Sequence, residues 1–185
     1  MYLALKNALG KSFILFSGLL NKFSGASAAY SLRRLGSYNG PAVRIRRASD
    51  SVEVNVAFNG ANVVGTDSPI TNTTEQGGES GSTTATTLGA FLTEGGNQDA
   101  TVHTWYDQSG NGNDATQNTT GSQPKIAETG SLLDDGIGFD GTDDFLATGQ
   151  SVITQSNTGS FSYFGVSTIA TDEGGYFFGS AGNGI

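Results

Sequence analysis

The chain has no cysteine in its 185 residues. That excludes a disulfide framework, a thiolate metal site and a cysteine nucleophile. It has one histidine, His103, which excludes a multi-histidine zinc centre and leaves a single imidazole for acid–base work. Proline is limited to three residues, and only 14% of the chain is charged. No apolar run approaches the roughly 20 residues that a membrane-spanning helix needs; "FILFSGLL", residues 13–20, is much shorter. What is abundant is glycine, with 28 residues, together with Ser, Thr, Asn and Asp gathered between short apolar runs. That pattern predicts an all-β domain with many turns, most simply a sandwich.

Net charge is −8, but it is unevenly placed. Residues 1–47 hold Lys6, Lys11, Lys22, Arg33, Arg34, Arg44, Arg46 and Arg47 and no acid, so they carry +8. Residues 48–185 set one lysine against 17 acids, a net −16. The basic end therefore faces something acidic: nucleic acid, a membrane surface or an acidic protein. Nucleic-acid patches usually come with exposed aromatic or Gly/Arg loops. Here the arginines alternate along a strand, so the expected partner is the acidic half of the same chain or of a neighbouring copy, and not nucleic acid.

Within residues 1–23, Tyr2, Leu5, Leu9, Phe13, Phe16, Leu20 and Phe23 recur every three or four positions. That spacing predicts an amphipathic helix with one apolar stripe. Read as retained, residues 1–27 are a docking helix and linker that act as an assembly anchor, and residues 28–185 are the β domain. The rival is a signal peptide, with lysines before the apolar run and a small-x-small site at Ala26-Ser27-Ala28; Lys22 interrupts the approach to that site.

Residues 42–58 predict a hairpin. Val43 and Ile45 alternate with Arg44 and Arg46, Val52, Val54, Val56 and Phe58 alternate with Glu53 and Asn55, and "ASDS" turns between them. Arg44, Arg46 and Glu53 then read as a solvated face with cross-strand ion pairs. Residues 65–87 read as a long loop. "TLGAFLTEGG" predicts a short helix, and "ATVHTWYDQ" a strand with Val102 and Trp105 as core candidates. "GIGFDGTDDFLAT" predicts strand, turn and strand. "GSFSYFGVSTIA" and "GGYFFGSAG" predict aromatic strands that fill a sandwich core.

"TWYDQSGNGNDATQ", residues 104–117, is the stretch that invites a chemical reading. Asp107, Ser109, Asn111 and Asn113 stand at alternate positions with Gly112 at the bend, which partly copies a calcium-binding loop. The twelfth position, where such a loop has a bidentate acid, holds Asn118. Trp105, Tyr106, Asn111 and Asn113 offer the stacking and hydrogen-bonding groups of a sugar site. The plainest reading is a turn, since Asp and Asn side chains accept bonds from nearby backbone N–H groups. Asp140, Asp143 and Asp144 in "FDGTDDFL" raise the question of a glycosidase carboxylate pair, but a Gly-containing turn accounts for them. No cofactor beyond calcium is suggested.

Taken in order, "AYSLRRL", "YNGPAVRIRRASD", "TWYDQSGNGNDATQ", "QPKI" and "FDGTDDFL" resemble a concanavalin-like, laminin-G-like jelly-roll family that recurs in structural proteins of marine bacteriophages. The likeness runs over roughly residues 28–180. A more distant resemblance, centred on "YDQSGNGN", is to the catalytic domain of fungal arabinofuranosidase B. The acid/base pair of that family lies outside these motifs, so no catalytic residue is carried over. The resemblance implies a jelly-roll sandwich and a non-enzymatic structural or decoration protein of a virion, in head or tail. Its partners would be other virion subunits or copies of itself, with lectin-like contact to cell-surface glycans. The alternative is a secreted carbohydrate-binding or arabinofuranosidase-like module. Family sandwiches continue for several strands beyond a segment like "SYFGVSTIATDEGGYFFGS", so open sheet edges are expected here.

Overall fold

The computed structural model of the chain describes residues 4–6, 12–14, 18–72, 82–149, 162 and 164–168. They form an all-β fold with few helices, built on one curled antiparallel sheet.

The first segment departs from the amphipathic-helix expectation. Strands β1 (Ala4–Lys6) and β2 (Ser12–Ile14) pair antiparallel, with Leu5 opposite Phe13. Helix α1 covers only Leu19–Lys22. Spacing of three and four was a weaker signal than composition here. Gly10 and Gly18 each cost a helix about 1 kcal/mol relative to Ala, and "SFI" favours extended backbone. Gly18, the N-cap of α1, is extended (φ −72°, ψ 170°), and a Cβ on it would run into the Leu35 carbonyl. Of the seven anchor residues, Tyr2, Leu9 and Phe16 lie outside the described residues. Leu5 and Phe13 fall in the strands, Leu20 is half-buried and Phe23 is exposed.

The predicted hairpin is present. Strands β3 (Val43–Arg47) and β4 (Glu53–Val56) pair with Val43 opposite Val56, Ile45 opposite Val54 and Arg46 opposite Glu53. Short strand β5 (Ile70–Asn72) adds to β4 inside the stretch expected to be a loop. Helix α2 (Leu88–Thr93) fits its prediction; the Thr87 hydroxyl accepts the Ala90 N–H at its start. Strand β6 (Ala100–Trp105) lies on the other side of β3. Its second half pairs with β7 (Ala115–Thr116) and its first half with β8 (Lys125–Glu128). Strand β9 (Ser131–Leu132) pairs with β8, and β10 (Ala147–Thr148) with β7. Among the described residues β5 and β10 stand at the two ends of the main path. Of the aromatic stretches 159–170 and 174–182, only 162 and 164–168 are described. These form no strand, and Phe164 and Val166 are 99% exposed, so this part does not fill a core as expected, while the rest lies outside the described residues.

The core sits on one face of the sheet. Val43, Ile45, Val54, Val56, Ala100 and Val102 meet Leu88, Phe91 and Leu92 of α2 there. Arg47 also stands on this face, only 4% exposed, where alternation alone would place an apolar residue. It is retained because four of its five N–H donors are bonded. Nη1 bonds the Phe91 carbonyl (2.8 Å) and Glu94 (2.9 Å), Nε and Nη2 hold Asp50 (3.0 and 2.7 Å), and the guanidinium lies 4.4 Å from the centre of the Phe91 ring.

Candidate functional site

Strand β6 ends in the polar loop singled out above, and a bulge decides what that loop can do. Val102 opposes Ile45, whereas Trp105 opposes Val43, so an extra residue is inserted in β6 between them. His103 and Thr104 both turn away from the core, with His103 Nδ1 2.8 Å from Thr104 Oγ1. The insertion brings Trp105 back to the core face beside Val102, as the sequence suggested. There its ring centre is 5.8 Å from that of Tyr30. Tyr106 then points the opposite way and donates to Asn55 Oδ1 at 2.7 Å. The proposed sugar-binding pair Trp105 and Tyr106 is thus split between two faces.

The loop itself is a clasp. Asp107 is 3% exposed. Its Oδ1 accepts the N–H of Ala29 and of Ser109, both at 2.8 Å, and its Oδ2 accepts the Ser109 hydroxyl (2.7 Å) and the Asn113 N–H (3.1 Å). The Asn111 amide donates to the carbonyls of Ala26 (2.8 Å) and Ser27 (3.1 Å), and the Asn113 amide to Ser27 at 2.8 Å. Tyr30 donates its hydroxyl to the Asn113 carbonyl. Gly110 and Gly112 sit at φ +90° and +71°, which the tight return of the chain requires. Residue types that could cage a cation are therefore used to hold residues 26–30 against the end of β6. Burial pushes the Asp107 carboxyl up, but its bonds from Ser109, Ala29 and Asn113 outweigh this and hold it below the usual carboxylate range.

Sequence reading missed Gln108, which extends the clasp. It is buried, its Oε1 accepts the Leu35 N–H (2.8 Å), and its Nε2 donates to the carbonyls of Ser31 (2.8 Å) and Arg33 (3.1 Å). Nothing in its type marks it; the one clue is its place directly after the Asp that opens the turn.

The outer face of the sheet carries the expected ion pairs, but not as a solvated face: Glu53 is buried and the Arg44 side chain is 14% exposed. Arg44 Nε lies 2.6 Å from Glu53 Oε2, and Arg46 Nη1 3.8 Å from Glu53 Oε1. Asn55, His103 and Tyr106 share this face, giving a strip of mixed polar groups. Burial, with help from Arg44 and Arg46, lowers the affinity of His103 for a proton, although Glu53 acts the other way. Beyond the strip, the Tyr38 hydroxyl is pushed up to about 12 by burial and by the charge of Asp114.

Asp140, Asp143 and Asp144 bring carboxylate oxygens within 4.8 Å of one another. Asp140 Oδ1 accepts the N–H groups of Thr142 (2.8 Å), Asp143 (3.3 Å) and Asp144 (3.4 Å), while Asp143 accepts the Ser122 hydroxyl at 2.8 Å. Bonds from the Thr142 backbone above all lower Asp140, whereas burial raises Asp144. Phe139 and Phe145 flank this turn, 49% and 53% exposed. No helix among the described residues is long and apolar enough to cross a membrane. Compared with known proteins, the chain matches no family model, no curated protein and no solved structure.

Proposed function

We propose that this chain is a non-enzymatic structural or decoration module of a bacteriophage particle, built on a laminin-G-like jelly roll and working by assembly. The observation that carries this reading is how the chain spends its polar and apolar groups. Its most chemically suggestive loop is used to fasten residues 26–35 to the sheet. Its large apolar side chains Leu19, Phe23, Phe139 and Phe145 meanwhile face outward. Exposed apolar groups rimmed by charge are what an interaction surface presents. The motif resemblance supplies the virion setting. A mass-spectrometric census of purified particles tests it: the chain should be recovered at a fixed copy number, and its absence sinks the reading.

A second reading is supported by the outer strip of Arg44, Glu53, Asn55, His103 and Tyr106. Charged and amide groups beside a phenol ring are what glycan contact uses, which fits lectin-like binding by a virion protein or by a secreted carbohydrate-binding module. Binding on a glycan array that is lost in Tyr106→Ala supports that contact. Hydrolysis of aryl arabinosides above background would instead favour the hydrolase alternative.

A further inference from the structure

We propose that copies of this chain join through two complementary corners: a basic apolar corner at α1 and the acidic aromatic turn at residues 139–145. The inference rests on the assembly reading above and gives it a surface and an occupant. At the first corner Leu19 and Phe23 are 57% and 61% exposed, and Lys22 Nζ lies 5.5 Å from the centre of the Phe23 ring. At the second, Phe139 and Phe145 stand out on either side of Asp143, which is itself exposed. Each corner thus has a pair of large apolar side chains with charge of one sign beside it, and the signs are opposite.

Both corners are held in shape before any contact forms. Asp140 gathers three backbone N–H groups and Asp143 holds Ser122, which fixes the turn. Helix α1 is fixed by the Leu20 N–H bond to Leu35 O (2.8 Å), at a crossing so close that Gly18 has no room for a side chain. Preorganised surfaces lose less freedom on binding. Opposed charge fixes the register and rejects like corners. The complement is found within one chain, and its charges follow the same division as the whole sequence, basic before residue 48 and acidic after it. That identifies the partner as a second copy. A contact between two different corners closes a two-fold pair or runs on as a ring or chain. It is small, at the low end of specific interfaces at under about 1,200 Å², so it forms at high protein concentration or where a particle already holds copies close together.

The test uses the full chain in sedimentation velocity from micromolar to near-millimolar concentration, with circular dichroism to confirm folding. Wild-type protein should self-associate, less so at high salt. Lys22→Glu and Asp143→Lys should each weaken self-association by about tenfold or more, because an attraction becomes a like-charge repulsion. Mixing the two variants should restore it. The reversed charge of one variant then meets the reversed charge of the other, and the unchanged Lys22 of one meets the unchanged Asp143 of the other. Recovery on mixing also shows that both are folded. Phe23→Ser and Phe145→Ser should each weaken association. Mixed, they leave one intact contact, between the unchanged 139–145 corner of the first and the unchanged α1 corner of the second, so recovery should stop at pairs. Wild-type protein that stays monomeric throughout, or a mixture no better than its components, overturns the proposal. If either happens while the particle census finds the chain, only this contact fails. If the census does not find it, the assembly reading fails first.

Discussion

Replacing Asp107 by alanine should cost this protein about 3 kcal/mol. The carboxylate accepts four bonds at 2.7–3.1 Å from a site where the residue is 3% exposed. A bond to a charged acceptor contributes about 1.5–3 kcal/mol. The four are not additive, because they share one carboxylate and the Ser109 hydroxyl can turn to water. Ala29 and Asn113 cannot turn, and their N–H groups lose their acceptor where the loop crosses the incoming chain. For a chain of this length, about 3 kcal/mol is a fall in melting temperature of about 6–12 °C. Asp107→Asn should lose somewhat less, since one oxygen still accepts while the new amide faces the donors on the other side.

Denaturant unfolding at pH 7 gives the cost, and amide hydrogen exchange locates it. Exchange should quicken at Ala29 and Asn113 and along residues 26–35, and stay slow in β3 and β4. The pH dependence has a definite sign. The folded carboxyl is held below its ordinary value near 3.8. Its contribution is therefore present above about pH 4 and is lost as pH falls through the lower folded value. Asp107→Asn should flatten that part of the acid limb. An alanine variant within about 0.5 kcal/mol of wild type, or with Ala29 exchange unchanged, would refute the clasp. A melting temperature that rises by several degrees with calcium, in wild type but not in the variant, would show that the oxygens serve a cation instead.

Two further outcomes follow from groups that the core and bulge hold in unusual places. Arg47→Met should destabilise by about 2–3 kcal/mol, below the 3–5 kcal/mol of a fully buried broken pair because Asp50 and Glu94 are partly exposed; stability unchanged on denaturant unfolding would mean the guanidinium is replaceable packing. His103 binds its proton less readily folded than unfolded, so stability should fall as pH drops below about 6.5 and level off beneath the folded value. His103→Gln should remove that slope between pH 7 and 5, and an identical slope in both proteins would show that the imidazole is not its source.

The parts of this fold that were legible in the sequence are those set by side-chain alternation. Val43 and Ile45 against Arg44 and Arg46 placed a strand, its buried face and its ion pairs, because a two-residue period admits only one arrangement with a single core. Alternation could not show Arg47 on the buried face. Its partners Asp50 and Glu94 lie 3 and 47 residues away, and only the second is close through tertiary packing. The same limit hid the nature of the 104–117 loop. Its residues read equally as calcium ligands, sugar contacts or turn formers, since all three uses need the same oxygens and amides. What separates them is where residues 26–35 pass, 73 to 86 positions away in the chain, and local spacing carries nothing about that. The bulge is the sharpest case. Val102 and Trp105 cannot share one face of a regular strand, so naming both as core already required an inserted residue between them. Read that way, the apolar pair predicts the irregularity, and the irregularity sends Thr104 and Tyr106 to the outer face, where alternation from Val102 already places His103 with Arg44 and Glu53. A strand whose apolar residues fall out of step is therefore informative about the opposite face: both polar residues inside the mismatch, here His103 and Thr104, turn to it.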